Sequence, residues 1–121
     1  MNKDQFKQRA KFFAINIAKF CKTLQHDAVI KSYIDQLVRA SASVGANYRA
    51  ACRAKSKPDF INKMRIVEEE ADESMYFLEL MAEFYLTRKI EIGALYKEGN
   101  EILSMTVASI NTIIKNNALR K

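Results

Sequence analysis

The chain has 121 residues, a net charge of +6, and only three glycines and one proline. Half this length would be too short to bury a core, so we expect one domain over residues 1–121. The small number of glycines and prolines, which interrupt helices and form turns, argues against an all-β fold and favours long helices. Apolar runs stay below the ~20 residues of a membrane span, and the charged N-terminus lacks a signal-peptide core, which predicts a cytoplasmic protein without membrane contact.

The first predicted helix covers residues 4–24, where apolar side chains recur at steps of three and four. The residues expected to face the core are Phe6, Ala10, Phe13, Ile17, Phe20 and Leu24. A short polar break follows at residues 25–27. Its last residue, Asp27, is a candidate N-cap for the next helix, because its carboxylate can accept a backbone N–H.

The second predicted helix covers residues 28–55. Its inner stripe is Ile30, Ile34, Leu37, Ser41, Val44, Tyr48 and Ala51. The middle of this helix, residues 40–46, contains only small side chains apart from Val44. Small side chains let a neighbouring helix approach closely, which explains Gly45 despite its cost of roughly 1 kcal/mol against alanine. A flexible linker is the alternative, but the periodic flanks argue against it.

The third predicted helix covers residues 57–88 and has the clearest start signal in the chain. Ser56 is its expected N-cap, Pro58 lies in the first turn, and Asp59 resembles the acid of a capping box. The residues of its core stripe recur at alternating steps of four and three, which is typical of helices that pack at a small crossing angle. The stripe consists of Phe60, Met64, Val67, Ala71, Ser74, Leu78, Met81 and Tyr85.

The fourth predicted helix covers residues 91–116 and has a wide apolar face that should contact more than one neighbour. This face is built from Leu95, Ile102, Leu103, Val107, Ile110, Ile113 and Ile114. Four such helices joined by short loops predict an all-α, antiparallel, up-down-up-down four-helix bundle.

The sequence contains no recognisable catalytic or metal-binding motif. The acidic run of residues 68–73 suggests a di-metal bundle, but such sites need Glu-x-x-His pairs, and His26 is the only histidine. A nucleophilic triad and a phosphate-binding loop are also missing. Cys21 and Cys52 would differ in height by roughly 30 Å, so we expect two buried, reduced thiols. We therefore predict a protein without enzymatic activity, metal or cofactor.

Charge is distributed unevenly along the chain. Residues 1–57 hold twelve Lys and Arg against three Asp, a net charge of +9, and the remainder has a net charge of −3. This asymmetry has two interpretations. Basic helices could pair with acidic ones, within the bundle or between subunits, or a basic surface could bind nucleic acid.

Residues 36–49, with the sequence QLVRASASVGANYR, are followed by Ser56, by Asp59-Phe60 and by a series of glutamates from Glu70 to Glu79. This combination resembles the 23S ribosomal RNA intervening sequence protein family and, more distantly, accessory proteins of diversity-generating retroelements. The resemblance implies a cytoplasmic four-helix protomer that forms a ring-like homopentamer and binds nucleic acid or a protein partner. It brings no catalytic residues. Ala50 departs from the family pattern, in which a glutamate is common at this position.

Two groups of residues become candidates for function. The first group consists of polar positions that recur in the family and that we interpret as structural contacts fixing register and assembly: Gln36, Arg39, Ser43, Asn47, Glu70 and Glu73. The second group is a candidate surface for RNA, DNA or a protein partner: Arg49, Arg53, Lys55 and Lys57. The leading hypothesis is an oligomeric scaffold that contacts nucleic acid through repeated basic surfaces. The alternative is a protein-interaction module whose charges serve subunit or partner docking.

Overall fold

The structure is a computed structural model that describes the backbone of residues 1–119 and the side chains of residues 1–117. Four α-helices follow one another: α1 (Lys3–Cys21), α2 (Ala28–Cys52), α3 (Lys57–Phe84) and α4 (Lys89–Leu119). A single 3₁₀ turn, Leu86–Arg88, joins α3 to α4. The described residues contain no strand, so the predicted all-α four-helix bundle is confirmed. None of these helices is both long and apolar enough to cross a membrane.

Side-chain caps start the first three helices. The predicted N-caps of α2 and α3 are confirmed, because Asp27 accepts from the Ile30 N–H at 3.0 Å and Ser56 accepts from the Asp59 N–H at 3.2 Å. Asp59 in turn accepts from the N–H of Lys55, one residue before the cap. Helix α1 begins one residue earlier than predicted, since Asn2 and Gln5 form a capping box. Each cap satisfies N–H groups that would otherwise lack a partner.

The helix ends differ from the sequence prediction by up to four residues. Helix α3 ends at Phe84, because Tyr85 leaves the helical region with ψ at 66°. The Tyr85 hydroxyl donates to the Gln25 carbonyl oxygen at 2.7 Å, and this contact ties the α3–α4 connection to the α1–α2 loop. Helices α1 and α2 end three residues earlier than predicted, and α4 extends beyond its predicted range at both ends.

Neighbouring helices run in opposite directions. Along α1 and α2, Phe6 stacks on Tyr48 with ring centroids 4.0 Å apart, and Ala10 lies against Gly45, so rising numbers in one helix pair with falling numbers in the next. Helices α3 and α4 show the same pattern, since Met75 lies beside Gly99 while Ala82 and Ile92 line one cleft. Each helix packs on its two neighbours in the order α1, α2, α3, α4, and α4 closes the bundle against α1.

The core follows the predicted stripes of α1 and α2 at every position. On α3, Phe60 and Tyr85 are only half-buried, because they lie at the two ends of the stripe. On α4 the prediction was partly wrong: Ile114 is 44% exposed. The buried line of this helix consists of Ile92, Gly99, Ile102, Thr106 and Ile110. A pattern of hydrophobic residues does not identify Gly99 and Thr106 as core positions. The apolar face predicted for α4 therefore differs from the buried one.

The two cysteines are both free. Cys21 is buried at the end of α1, as predicted. Cys52 is half-buried, so the prediction of a buried thiol was wrong there. Cys52 is the last residue of α2 and lines an open cleft where the chain turns into α3.

Candidate functional site

Arg39 lies in a polar cluster between α2 and α3. Its Nε donates to Gln36 Oε1 at 3.0 Å and its Nη1 to Glu70 Oε2 at 2.9 Å, while Nη2 donates to Glu73. The bonds to Glu73 and Glu70 raise the pKa of Arg39, the bond to Glu73 most strongly. The Arg39 side chain is 46% exposed and Glu70 only 17%, so the cluster closes the α2–α3 seam from the solvent side. Four of the six polar residues singled out in the sequence meet here.

Ser43 and Asn47 do not join this cluster. Asn47 Nδ2 donates to the Ser43 carbonyl oxygen at 2.9 Å, one turn earlier in the same helix. Both residues are half-buried. This bond belongs to α2 alone, and the part that these two positions play in assembly stays a prediction.

A cluster of basic residues, which we call the basic end, lies where α1 begins and α2 turns into α3. Its members are Lys3, Arg53, Lys55 and Lys57, all exposed. Lys3, Lys55 and Lys57 line a shared cleft of about 250 Å³. Lys57 Nζ donates to Asn117 Oδ1 at 3.2 Å, which links the last turns of α4 to this end. The structure therefore brings three of the four predicted surface cations to one place, together with a lysine from α1.

The fourth predicted cation, Arg49, lies on a different feature, the α1–α2 groove. This groove has a volume of about 560 Å³ and a floor of small residues: Ala10, Ala14, Ala42, Gly45 and Ala46. Lys7, Lys11 and Arg49 border it. The small segment of α2 lies against α1 on one side, where Gly45 meets Ala10, but a Cβ at Gly45 would lie at an ordinary 3.5 Å from Ala10 Cβ, so this packing does not require a glycine. Its other side leaves the floor of the groove open to solvent.

Sequence reasoning did not single out the lysines of α1. Lys3, Lys7 and Lys11 follow one another at steps of four, which places them in one row along the helix. Arg49 and Arg53 have the same spacing on α2. A search for cations at helical spacing would have found both rows. Only the packing of α1 beside the end of α2 shows that the rows are neighbours.

These cations have no acidic partner among the described residues, a property they share with several other lysines, whereas Arg9 and Arg39 pair with acids of a neighbouring helix. Arg9, two residues after Lys7, donates from Nε to Glu98 at 2.9 Å and from Nη2 to Glu101 at 2.7 Å, which joins α1 to α4. Among the described residues, no carboxylate lies within ion-pair distance of any cation of the basic end or the groove. Asp59, the nearest acid in sequence, pairs with Lys63 instead. Within the described residues, the cations of this region are therefore not neutralised by direct ion pairs.

The acidic run of α3 is divided among several faces of the helix. Glu68 pairs with Arg65, and Glu70 and Glu73 face Arg39. Glu69 and Asp72 point to solvent. Within the part of the chain that the structure describes, no three side chains of His, Cys, Asp or Glu are grouped as a metal site would require.

Comparison with known proteins places these features in a family. Residues 2–108 match the model of the 23S rRNA-intervening sequence protein family. The chain belongs to this family. A crystal structure of a protein with unknown function from the S23 ribosomal protein family of Bacteroides thetaiotaomicron superposes with a TM-score of 0.78 at 30% identity. The match covers 87% of this chain and 97% of that one. No curated protein matches the chain.

Proposed function

We propose that this member of the 23S rRNA-intervening sequence protein family is a non-enzymatic, oligomeric scaffold of the cytoplasm that contacts nucleic acid through its basic end. The observation that supports this proposal is the set of exposed cations at that end without a carboxylate partner among the described residues. Cations that already pair with a carboxylate of the protein contribute little binding free energy when they contact a phosphate. Unpaired exposed ones gain by releasing the counterions condensed on a nucleic acid.

The composition of the basic end favours contact with the phosphate backbone over the reading of bases. Three of its four members are lysines on flexible stems, which act as point charges toward phosphate. Backbone contacts of this kind carry no sequence information by themselves. We expect binding that tolerates changes of sequence and weakens steeply with salt.

Self-association would multiply this surface. The family resemblance supports a ring-like homopentamer, in which each protomer adds one basic end. Linked weak contacts act at high effective concentration, so a ring can bind a long polyanion far more tightly than one protomer. A solution mass of five times 13.9 kDa is the expected value.

The decisive experiment is a salt titration of binding to RNA and DNA duplexes, comparing wild type with Lys55→Gln/Lys57→Gln. Each lost phosphate contact lowers the slope of log K against log salt by about one, so the variant should bind at least about tenfold more weakly with a slope reduced by about two. The matched control is Lys19→Gln/Lys22→Gln, which removes two exposed lysines from the opposite end of α1. Absence of affinity at low salt, or an equal loss in the control, would refute nucleic-acid binding.

The alternative function, a protein-interaction module without nucleic-acid binding, is favoured by a different observation. The α1–α2 groove has an alanine and glycine floor, and such a floor suits the close approach of a helix better than that of a nucleic acid. A protein that assembles and captures a protein partner but shows no binding in the salt titration would support this alternative.

A further inference from the structure

We propose that the α1–α2 groove receives the outer face of α3 from a second copy of the chain. This inference rests on the proposed self-association and names the surfaces that produce it. It starts from two features on different sides of the protomer, one basic and concave, the other acidic and convex.

The outer face of α3 is a continuous acidic stripe. Its members recur at steps of three and four on the side of the helix that faces away from the core: Glu69, Asp72, Tyr76, Glu79 and Glu83. All are exposed, and none of the four acids takes part in an ion pair among the described residues. The other charged residues of α3 between positions 59 and 73 are paired, so the unpaired acids of this helix concentrate on this face.

The groove complements this stripe in charge. It is bordered by Lys7, Lys11 and Arg49, which are also unpaired among the described residues. Three cations on one surface and four carboxylates on the other attract each other electrostatically. Repulsion between like charges disfavours the pairing of two grooves or of two stripes. The net positive half of one copy is thus complementary in charge to the net negative half of another copy, as well as to that of its own chain.

The groove also complements the stripe in shape. Its floor has no side chain larger than a methyl group apart from Ile15 at the edge, so a partner helix can approach closely. Tyr76 is 54% exposed at the middle of the stripe, with two acids on either side along the helix. A tyrosine that enters a pocket of small residues between charged borders is a common energetic centre of protein interfaces.

The acidic stripe is longer than the groove. Glu69 and Glu83 lie about 21 Å apart along α3, while the groove extends about 12 Å along α1, from Lys7 to Ile15. The stripe can therefore cover the whole groove with about 4.5 Å, slightly less than one helical turn, to spare at either end. Lys55 and Lys57 do not line the groove, so the basic end stays free for nucleic acid.

The proposed contact is heterologous, because two different surfaces of the protomer meet. A docked pair still presents one open groove, on one copy, and one open stripe, on the other. Repetition of such a contact generates a closed ring or an open filament, not an isolated dimer. This is the geometry that a ring-like assembly requires.

The test exchanges charge between the two surfaces and measures solution mass by light scattering over a range of concentrations. The groove variant is Lys11→Glu/Arg49→Glu, and the stripe variant is Glu79→Lys/Glu83→Lys. In either variant alone, like charges face each other across the contact. Each variant should therefore raise the dissociation constant of self-association at least about tenfold. The four substitutions combined in one chain should recover association, because every groove then meets a stripe of opposite charge in a ring of any size.

Controls separate this inference from the proposed function. Lys19→Glu/Lys22→Glu makes the same charge change on α1 beyond the groove and should associate like wild type, and circular dichroism checks that all variants are helical. A monomeric wild type would refute self-association itself. An oligomeric wild type whose mass is unchanged in both variants would refute only the groove and stripe. The groove and stripe would also be refuted if both charge variants associated like wild type and association were lost in Phe84→Ser/Ile90→Ser. That variant removes exposed apolar residues at the end of the bundle where α3 turns into α4.

Discussion

The aromatic ring of Phe13 lies against the backbone of Gly99 in the centre of the bundle. A Cβ atom built at Gly99 would be 3.2 Å from Phe13 Cζ and 3.2 Å from Met75 Cγ, closer than ordinary van der Waals contact. Phe13 is 1% exposed and fully packed. Gly99 thus allows α1, α3 and α4 to meet around one ring, and no positive φ angle is involved.

We predict that Gly99→Ala lowers the free energy of unfolding by about 1 kcal/mol, because overpacking of a filled core costs more than the gain in helix propensity. Gly45→Ala is the matched control. A Cβ there meets Ala10 Cβ at an ordinary 3.5 Å, so alanine should raise the free energy of unfolding by up to about 1 kcal/mol. Urea denaturation measures both. Equal effects of the two substitutions would contradict the packing seen at Gly99.

Arg39→Met tests the polar cluster on the α2–α3 seam. The arginine is 46% exposed, so we expect a loss of about 1 kcal/mol or less at low salt. The loss should shrink toward zero at ~1 M salt, where exposed ion pairs are screened. Lys31→Met, which removes a more exposed pair with Asp35 within α2, should cost less still. A loss for Arg39→Met that is independent of salt would mean that packing of the side chain, not charge, stabilises the seam.

The buried thiol of Cys21 should make stability depend on alkaline pH. Burial raises its pKa from 9.0 to about 11. Since the folded state holds this proton more tightly than the unfolded state, the contribution is complete below pH 9 and is lost as pH rises toward 11. Cys21→Ala should therefore show a shallower fall in free energy of unfolding over this range than wild type, by up to about 2 kcal/mol. Parallel curves for the two proteins would contradict this assignment.

The contact of Arg9 with Glu98 and Glu101 should have the opposite pH dependence. The hydrogen bond from Arg9 lowers the pKa of Glu101 below its usual 4.5. A lowered pKa contributes stability above pH 4.5, and that stability is lost as pH falls through the folded value. Arg9→Met should thus lower the melting temperature at pH 7 and remove part of the acid sensitivity of wild type. If wild type and variant lose stability equally on acidification, Arg9 is not the cause.

The fold could be predicted from the sequence where helical periodicity was regular. The stripes of α1 and α2 recur at steps of three and four and consist mostly of large apolar residues, and every predicted position is buried. The prediction failed on α4, where Gly99 and Thr106 occupy core positions. Their burial depends on what packs against them: Phe13 fills the space beside Gly99, and the Thr106 hydroxyl is satisfied by the Ile102 carbonyl oxygen at 2.8 Å. Local sequence does not encode such partners.

The candidate surfaces were predictable only in part. Uneven charge along the chain showed that the first half is basic, but four cations named from the sequence fall on two separate features. Arg49 borders the α1–α2 groove, whereas Lys55 and Lys57 lie at the basic end. The lysines of α1 join both features because α1 packs antiparallel beside α2, which brings the start of one helix next to the end of the other.

The sequence by itself determined the number and type of the helices, their caps at Asp27 and Ser56, and the membership of the chain in its family. These properties depend on neighbours within a few residues, where spacing along the chain equals spacing in the molecule. Only the tertiary structure decided which cations are neutralised and which are not. Arg9 meets its acids 89 and 92 residues away, while Lys7 and Lys11 meet none among the described residues. Charge compensation is a property of contacts between helices, and those exist only after packing.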